Sequence, residues 1–112
     1  MEANSLVLLS VDGMVATLTI NRPDKLNALN SAVITELKRQ LELLDADPAV
    51  RVVILTGSGG KAFVAGADIA EMSSLSPQDA QQFAREGQAL GTVIDDLGKP
   101  VIAAIEGYAL GG

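Results

Sequence analysis

Residues 50–57, VRVVILTG, form a short, almost uninterrupted β-branched run. That pattern belongs to a strand buried on both faces of a parallel sheet. A parallel strand cannot be reached from its neighbour by a tight turn and needs a crossover, usually a helix. The preceding stretch NALNSAVITELKRQLELLDADP supplies one. Val33, Leu37, Leu41 and Leu44 recur at helical spacing, with Glu36, Lys38 and Arg39 outside the stripe. Asn30 or Ser31 is the expected N-cap, and Pro48 closes the segment.

The flanking segments extend this reading. Leu6 to Val11 and Met14 to Ile20 are apolar-rich and flank Asp12-Gly13, a dipeptide that supplies the positive φ of a two-residue hairpin turn. In the second strand Ala16, Leu18 and Ile20 share one face, and Val15, Thr17 and Thr19 the other. Asn21-Arg22-Pro23 stops it. Ser76-Pro77 opens a second helix, a capping serine followed by a ring whose fixed φ suits the first helical position. Its expected buried stripe is Ala80, Phe83, Ala84, Gly87, Leu90, Ile94 and Leu97. After Pro100, VIAAIEG reads as one more buried strand, central by its composition. The order β-β-α-β-α-β, without internal repeat, low-complexity stretch or charged linker, describes one α/β layered unit. A central parallel strand needs neighbours on both sides, so the expectation is an incomplete core, with the rest supplied by further chain or by a partner.

The 112 residues are 48% hydrophobic, enough for a packed core. The net charge of −6, from 14 acidic and 8 basic residues without a run of either sign, disfavours a nucleic acid partner. Cysteine and histidine are both absent, which excludes disulfides, Ser-His and Cys-His dyads and most zinc sites. The opening MEANSLVLLSVDG lacks the features of a signal or transit peptide, and the apolar stretches are too short to span a membrane. The expectation is a soluble, cytoplasmic protein.

Two segments rich in glycine and alanine, FVAGADIAEM at 63–72 and EGYALGG at 106–112, follow buried strands. Small side chains there let backbone N–H groups approach a ligand, and a helix N-terminus favours negative charge; glycines that only make turns are the alternative. TGSGGKA at 56–62 lacks the ending and spacing of a phosphate loop. Asp68 is either a catalytic base or a helix cap, and Lys61 either a phosphate contact or a solvated lysine. Tyr108 is either a proton donor or a packed ring with a satisfied hydroxyl. Leu75 and Phe83 border an acyl pocket or belong to the core.

Taken together, TLTINRPDKLNALN, DPAVRVVILTGSGGKAFVAGADIAEM and KPVIAAIEGYALGG closely resemble the N-terminal part of the enoyl-CoA hydratase/isomerase, or crotonase, family. The resemblance runs from about Leu8 to Gly112, with three motifs in register and matched gaps. It implies a crotonase-like spiral of ββα units with two roughly perpendicular sheets, in proteins that assemble as trimers and often hexamers. Residues 1–112 are then the N-terminal part of a single domain, interrupted within its active site.

The chemistry implied by the resemblance is stabilisation of a thioester enolate between two backbone N–H groups. These map onto Ala67 and Gly112, with Lys25, Leu26, Ala28, Ala65, Asp68 and Ile69 lining the coenzyme A site. Lys61 approaches a nucleotide phosphate, and Ala70 departs from a lysine found in several relatives. Two glutamates that activate water in hydratases fall after Gly112. The implied reaction is hydration of a 2-trans-enoyl-CoA, with isomerase, thioester hydrolase and decarboxylase chemistry as alternatives within the family. The 112 residues alone are expected to be inactive. A non-catalytic acyl-CoA binder or a self-associating module is the alternative from another class. No metal or redox cofactor is implied, and the coenzyme A thioester enters as substrate.

Overall fold

The computed structural model describes residues 5–111. It contains β1 (Val7–Asp12), β2 (Val15–Ile20), a 3-10 turn (Pro23–Lys25), α1 (Ser31–Ala46), β3 (Val52–Gly57) and β4 (Ala62–Val64). These are followed by α2 (Ile69–Met72), α3 (Pro77–Asp96), β5 (Val101–Ala103) and β6 (Tyr108–Ala109). Four strands form one sheet in the order β1-β2-β3-β5, and β4 and β6 form a second. The β1–β2 pair is antiparallel, whereas β2–β3, β3–β5 and β4–β6 are parallel. Helix α1 is the crossover between β2 and β3, as the β-branched run demands.

The hairpin forms one residue later than expected. Asp12 pairs with Val15, so the loop is Gly13-Met14. Gly13 takes φ 61° while Met14 stays out of the positive region, the pattern of a loop with glycine at its first position. The sequence reading placed glycine second because Asp-Gly is a common turn pair; strand register overrode it.

Ala16, Leu18 and Ile20 of β2 meet Val33, Leu37, Leu41 and Leu44 of α1 in one core, which also takes in Val53, Leu55, Phe83 and Leu90. Each fully buried side chain of this kind contributes about 1.5–3 kcal/mol. The caps follow from local chemistry. Asn30 Oδ1 accepts the Val33 N–H at 2.9 Å, and Ser76 Oγ accepts the Asp79 N–H at 3.1 Å.

Three burial expectations are corrected. β3 is buried through Val53 and Leu55 but only half-buried at Val52, Ile54 and Thr56, because among the described residues no layer seals its second face. In α3 only Phe83 and Leu90 of the expected stripe are buried. Gly87, Ile94 and Leu97 are half-buried and Ala80 and Ala84 exposed, since the helix rests on α1 rather than beneath a sheet. β5, read as a buried strand, is exposed instead, with Ile102 52% exposed and Val101 half-buried: among the described residues it lies at the sheet edge, as the expected incomplete core leaves it. Two short elements, β4 and β6, were not anticipated, and α2 is the single helical turn implied by the reading of Asp68 as a cap. No helix among the described residues is long and apolar enough to cross a membrane.

Candidate functional site

The chain leaves β2 at Asn21-Arg22-Pro23 and turns sharply. Pro23 begins the 3-10 turn, and Leu26 and Asn27 then take φ of 53° and 57°. Left-handed backbone costs a side-chain-bearing residue about 1–2 kcal/mol, least for asparagine. Asn27 offsets that cost through three bonds. Fully buried, it accepts the Arg22 N–H at 2.9 Å through Oδ1 and donates through Nδ2 to Ser58 O at 3.0 Å and Ala62 O at 2.8 Å. No buried side-chain polar atom among the described residues lacks a partner. Gly57 makes room for this amide: a Cβ there would lie 2.6 Å from Asn27 Nδ2 and 2.5 Å from Phe63 O.

The same turn holds the segment after β4. Ala65 N–H donates to Leu26 O at 3.1 Å, Leu29 N–H to Gly66 O at 2.8 Å, and Asp68 N–H to Leu29 O at 2.8 Å. Leu29 and Ala67 thus form an isolated parallel bridge. In a planar trans peptide the C=O and N–H point opposite ways. With Gly66 C=O aimed at Leu29, the Ala67 N–H projects away from it, and it has no acceptor among the described residues. Nearby runs the strand-like segment of β6: Leu110 N–H donates to Val64 O at 2.9 Å, and a Cβ on Gly66 (φ 111°) would sit 3.2 Å from Leu110 O. A Cβ on Gly111 would lie 3.4 Å from Gly66 Cα. Bare backbone therefore meets bare backbone beside the projecting amide. Gly112, the other expected donor, lies outside the described residues.

Asp68 caps α2, accepting the Glu71 N–H at 3.1 Å, and its second oxygen lies 3.0 Å from Arg22 Nη1. The Glu71 N–H and then the Arg22 guanidinium hold the Asp68 carboxyl below its ordinary range. It is an ionised, occupied cap, and the alternative of a catalytic base loses its support. Arg22 Nη1 also donates to Ala28 O at 2.7 Å. Glu71 reaches back to α1, accepting the Ser31 N–H at 3.0 Å and the Ser31 hydroxyl at 2.5 Å.

Of the other expected residues, Leu26 and Lys61 border a cleft of about 270 Å³ whose walls include Pro23, Ser58 and Gly59. Lys61 is exposed; Lys25, also exposed, is not among the residues lining that cleft. Ala28 and Ala65 are half-buried within the turn contacts just described, and Ile69, first in α2, is 79% exposed. Tyr108 is 59% exposed, so of its two readings the packed ring is not formed among the described residues. Phe83 is in the core and Leu75 packs against it. Sequence reasoning missed Arg22, Asn27 and Glu71. Asparagine after a proline turn was the available signal for a left-handed residue; nothing local marked the other two.

The family model described as enoyl-CoA hydratase/isomerase matches residues 11–112. The chain is 47% identical over 106 residues to a crotonyl-CoA hydratase of Syntrophomonas wolfei, covering 95% of this chain and 41% of that protein. It is 41% identical over 108 residues to a mitochondrial 3-hydroxyisobutyryl-CoA hydrolase of Xenopus laevis, covering 94% of this chain and 28% of that one. A crystal structure of an enoyl-CoA hydratase from Bacillus anthracis superposes with a TM-score of 0.91 at 32% identity, over 94% of this chain and 41% of its own length.

Proposed function

The chain belongs to the enoyl-CoA hydratase/isomerase family and has its fold, and from that premise we propose that it carries half of an acyl-CoA thioester site whose Ala67 N–H receives the thioester carbonyl oxygen. The chain spans about two fifths of the length of several relatives it matches. In the whole protein the reaction is addition of water to a 2-trans-enoyl-CoA, giving the 3-hydroxyacyl-CoA. The observation that supports this is the projecting Ala67 amide, fixed by the Leu29 bridge and flanked by Gly66 and Leu110–Gly111. As negative charge builds on the carbonyl oxygen, a donor already aimed at it stabilises that charge without reorganising; one such donor contributes about 10²–10³ in rate. Gly112 N–H is the second donor. Asp68 orients the loop, while Leu26, Ala28, Ala65 and Ile69 face the coenzyme A portion, with Lys25 and Lys61 supplying positive charge.

The two water-activating glutamates that the family resemblance places after Gly112 are not among these 112 residues, so the residues alone bind the thioester but turn crotonyl-CoA over little or not at all. Identity to the 3-hydroxyisobutyryl-CoA hydrolase supports a second reading, thioester hydrolysis, which uses the same carbonyl site. Calorimetric titration with acetoacetyl-CoA, with free coenzyme A as control, tests the shared part. Tighter binding of the thioester is expected; equal binding of the two removes the carbonyl site from this half of the protein.

A further inference from the structure

The Ala67 amide is aimed by two backbone bonds across the Leu29 bridge, and two such bonds in a partly exposed loop do not by themselves hold a peptide plane still. The structure adds a third connection through a side chain. Arg22 Nη1 is 2.7 Å from Ala28 O and 3.0 Å from Asp68 Oδ2, so one guanidinium nitrogen joins the residue before Leu29 to the residue after Ala67. The arginine is itself anchored at its backbone: its N–H goes to Asn27 Oδ1 at 2.9 Å, and its C=O accepts from Lys25 N and Asn27 N, each at 2.9 Å. Each side chain of the Arg22–Asp68 pair is only 13% exposed, which separates it from the surface pairs that contribute little.

We propose that Arg22 is a positioning residue for the Ala67 N–H, closing a ring Arg22–Ala28–Leu29–Ala67–Asp68 that fixes the direction in which that amide points. The inference rests on the reading of Ala67 as the carbonyl donor, and it concerns a residue that touches no substrate. Lysine does not replace it. The guanidinium presents fixed hydrogens to an oxygen on each side, whereas an ammonium is a strongly hydrated point charge on a flexible stem.

The test is amide hydrogen exchange on the ¹⁵N-labelled chain, comparing the native protein with Arg22→Ala and Arg22→Lys. Arg22→Ala raises exchange at the Leu29 and Asp68 amides by about tenfold or more while Val53 and Leu55 in the core keep their protection. Arg22→Lys, which retains the charge and guards against a variant that fails to fold, gives an intermediate rise at the same two amides. Unchanged exchange at Leu29 and Asp68, or an equal rise throughout the core, overturns the proposal, the second because it marks a merely structural role. A parallel titration with acetoacetyl-CoA separates this inference from the reading beneath it, using an amide-to-ester replacement that removes the Ala67 N–H; it also makes Gly66 C=O a weaker acceptor for the Leu29 N–H, an effect read separately from Leu29 exchange in the ester. Loss of thioester preference in both the ester and Arg22→Ala supports both claims. Loss in the ester alone overturns the role of Arg22 and leaves Ala67 standing. Retention in the ester, or no preference in the native chain, removes Ala67 as donor, and the exchange comparison still decides whether Arg22 fixes the loop.

Discussion

Asn27 concentrates most of what the site turn requires in one side chain. Replacing it by alanine strands the Ser58 and Ala62 carbonyls and the Arg22 N–H while keeping a Cβ in left-handed backbone. Asn27→Ala is expected to cost about 2–4 kcal/mol in urea unfolding. Asn27→Gly costs less, because glycine accepts φ 57° without strain. Asp68 contributes at the same scale through its charge. Its folded carboxyl titrates below the ordinary 3.8, so its contribution is fully present above that value and disappears as pH falls through the lowered one. Native protein should therefore lose stability as pH falls below about 4 more steeply than Asp68→Asn, measured as the urea midpoint against pH. The capping role of Asp68 was legible because a cap is local, three residues from its partner. Arg22 and Asn27 were not, because beside near neighbours each binds a group far along the chain, Asp68 for Arg22 and Ala62, 35 positions on, for Asn27.

Among the elements, α3 shows where periodicity stops being informative. Its sequence has a continuous apolar stripe, yet burial is decided by what α1 can reach, and that is Phe83 and Leu90. Phe83→Ala should cost about 3 kcal/mol, whereas Ala80→Gln and Ala84→Gln, on the same nominal stripe, should stay within about 0.5 kcal/mol by chemical denaturation. Most long elements were readable for the same physical reason that they are stable. α1 repeats its period over 16 residues, and β2 alternates over six with Ala16, Leu18 and Ile20 inward. β4 and β6, of three and two residues, are too short to carry a period, and α2 has a single turn. They exist because the Arg22–Leu29 turn and the glycines at 57, 66 and 107 allow backbones to approach. A Cβ on Gly107 would lie 2.0 Å from Lys61 O, a contact that no alternation of side chains announces.

For the whole molecule, the consequence of this packing is an unequal sheet. α1 packs on one face over β1 and β2, while the far edge carries Ile102 of β5 and Ile105 just after it at 52% and 54% exposure, with Tyr108 and Leu110 beyond at 59% and 55%. Composition marked this segment as central because apolar strands usually are; what decides burial is which layers lie against it. An open apolar edge offers unpaired backbone groups to another chain. Against that stands a net charge of −6, which repels a second copy and is screened over about 10 Å at 0.1 M salt. The two effects predict a distinctive salt response. Mass from light scattering should rise with protein concentration, and should rise more at high salt than at low. Ile102→Lys, which places a charge on the edge while leaving the core of Val53 and Leu55 intact, should remain monomeric under both conditions. A native chain that stays monomeric at high salt and high concentration would mean that the β5 edge, though exposed and apolar, is too short at three residues to template pairing.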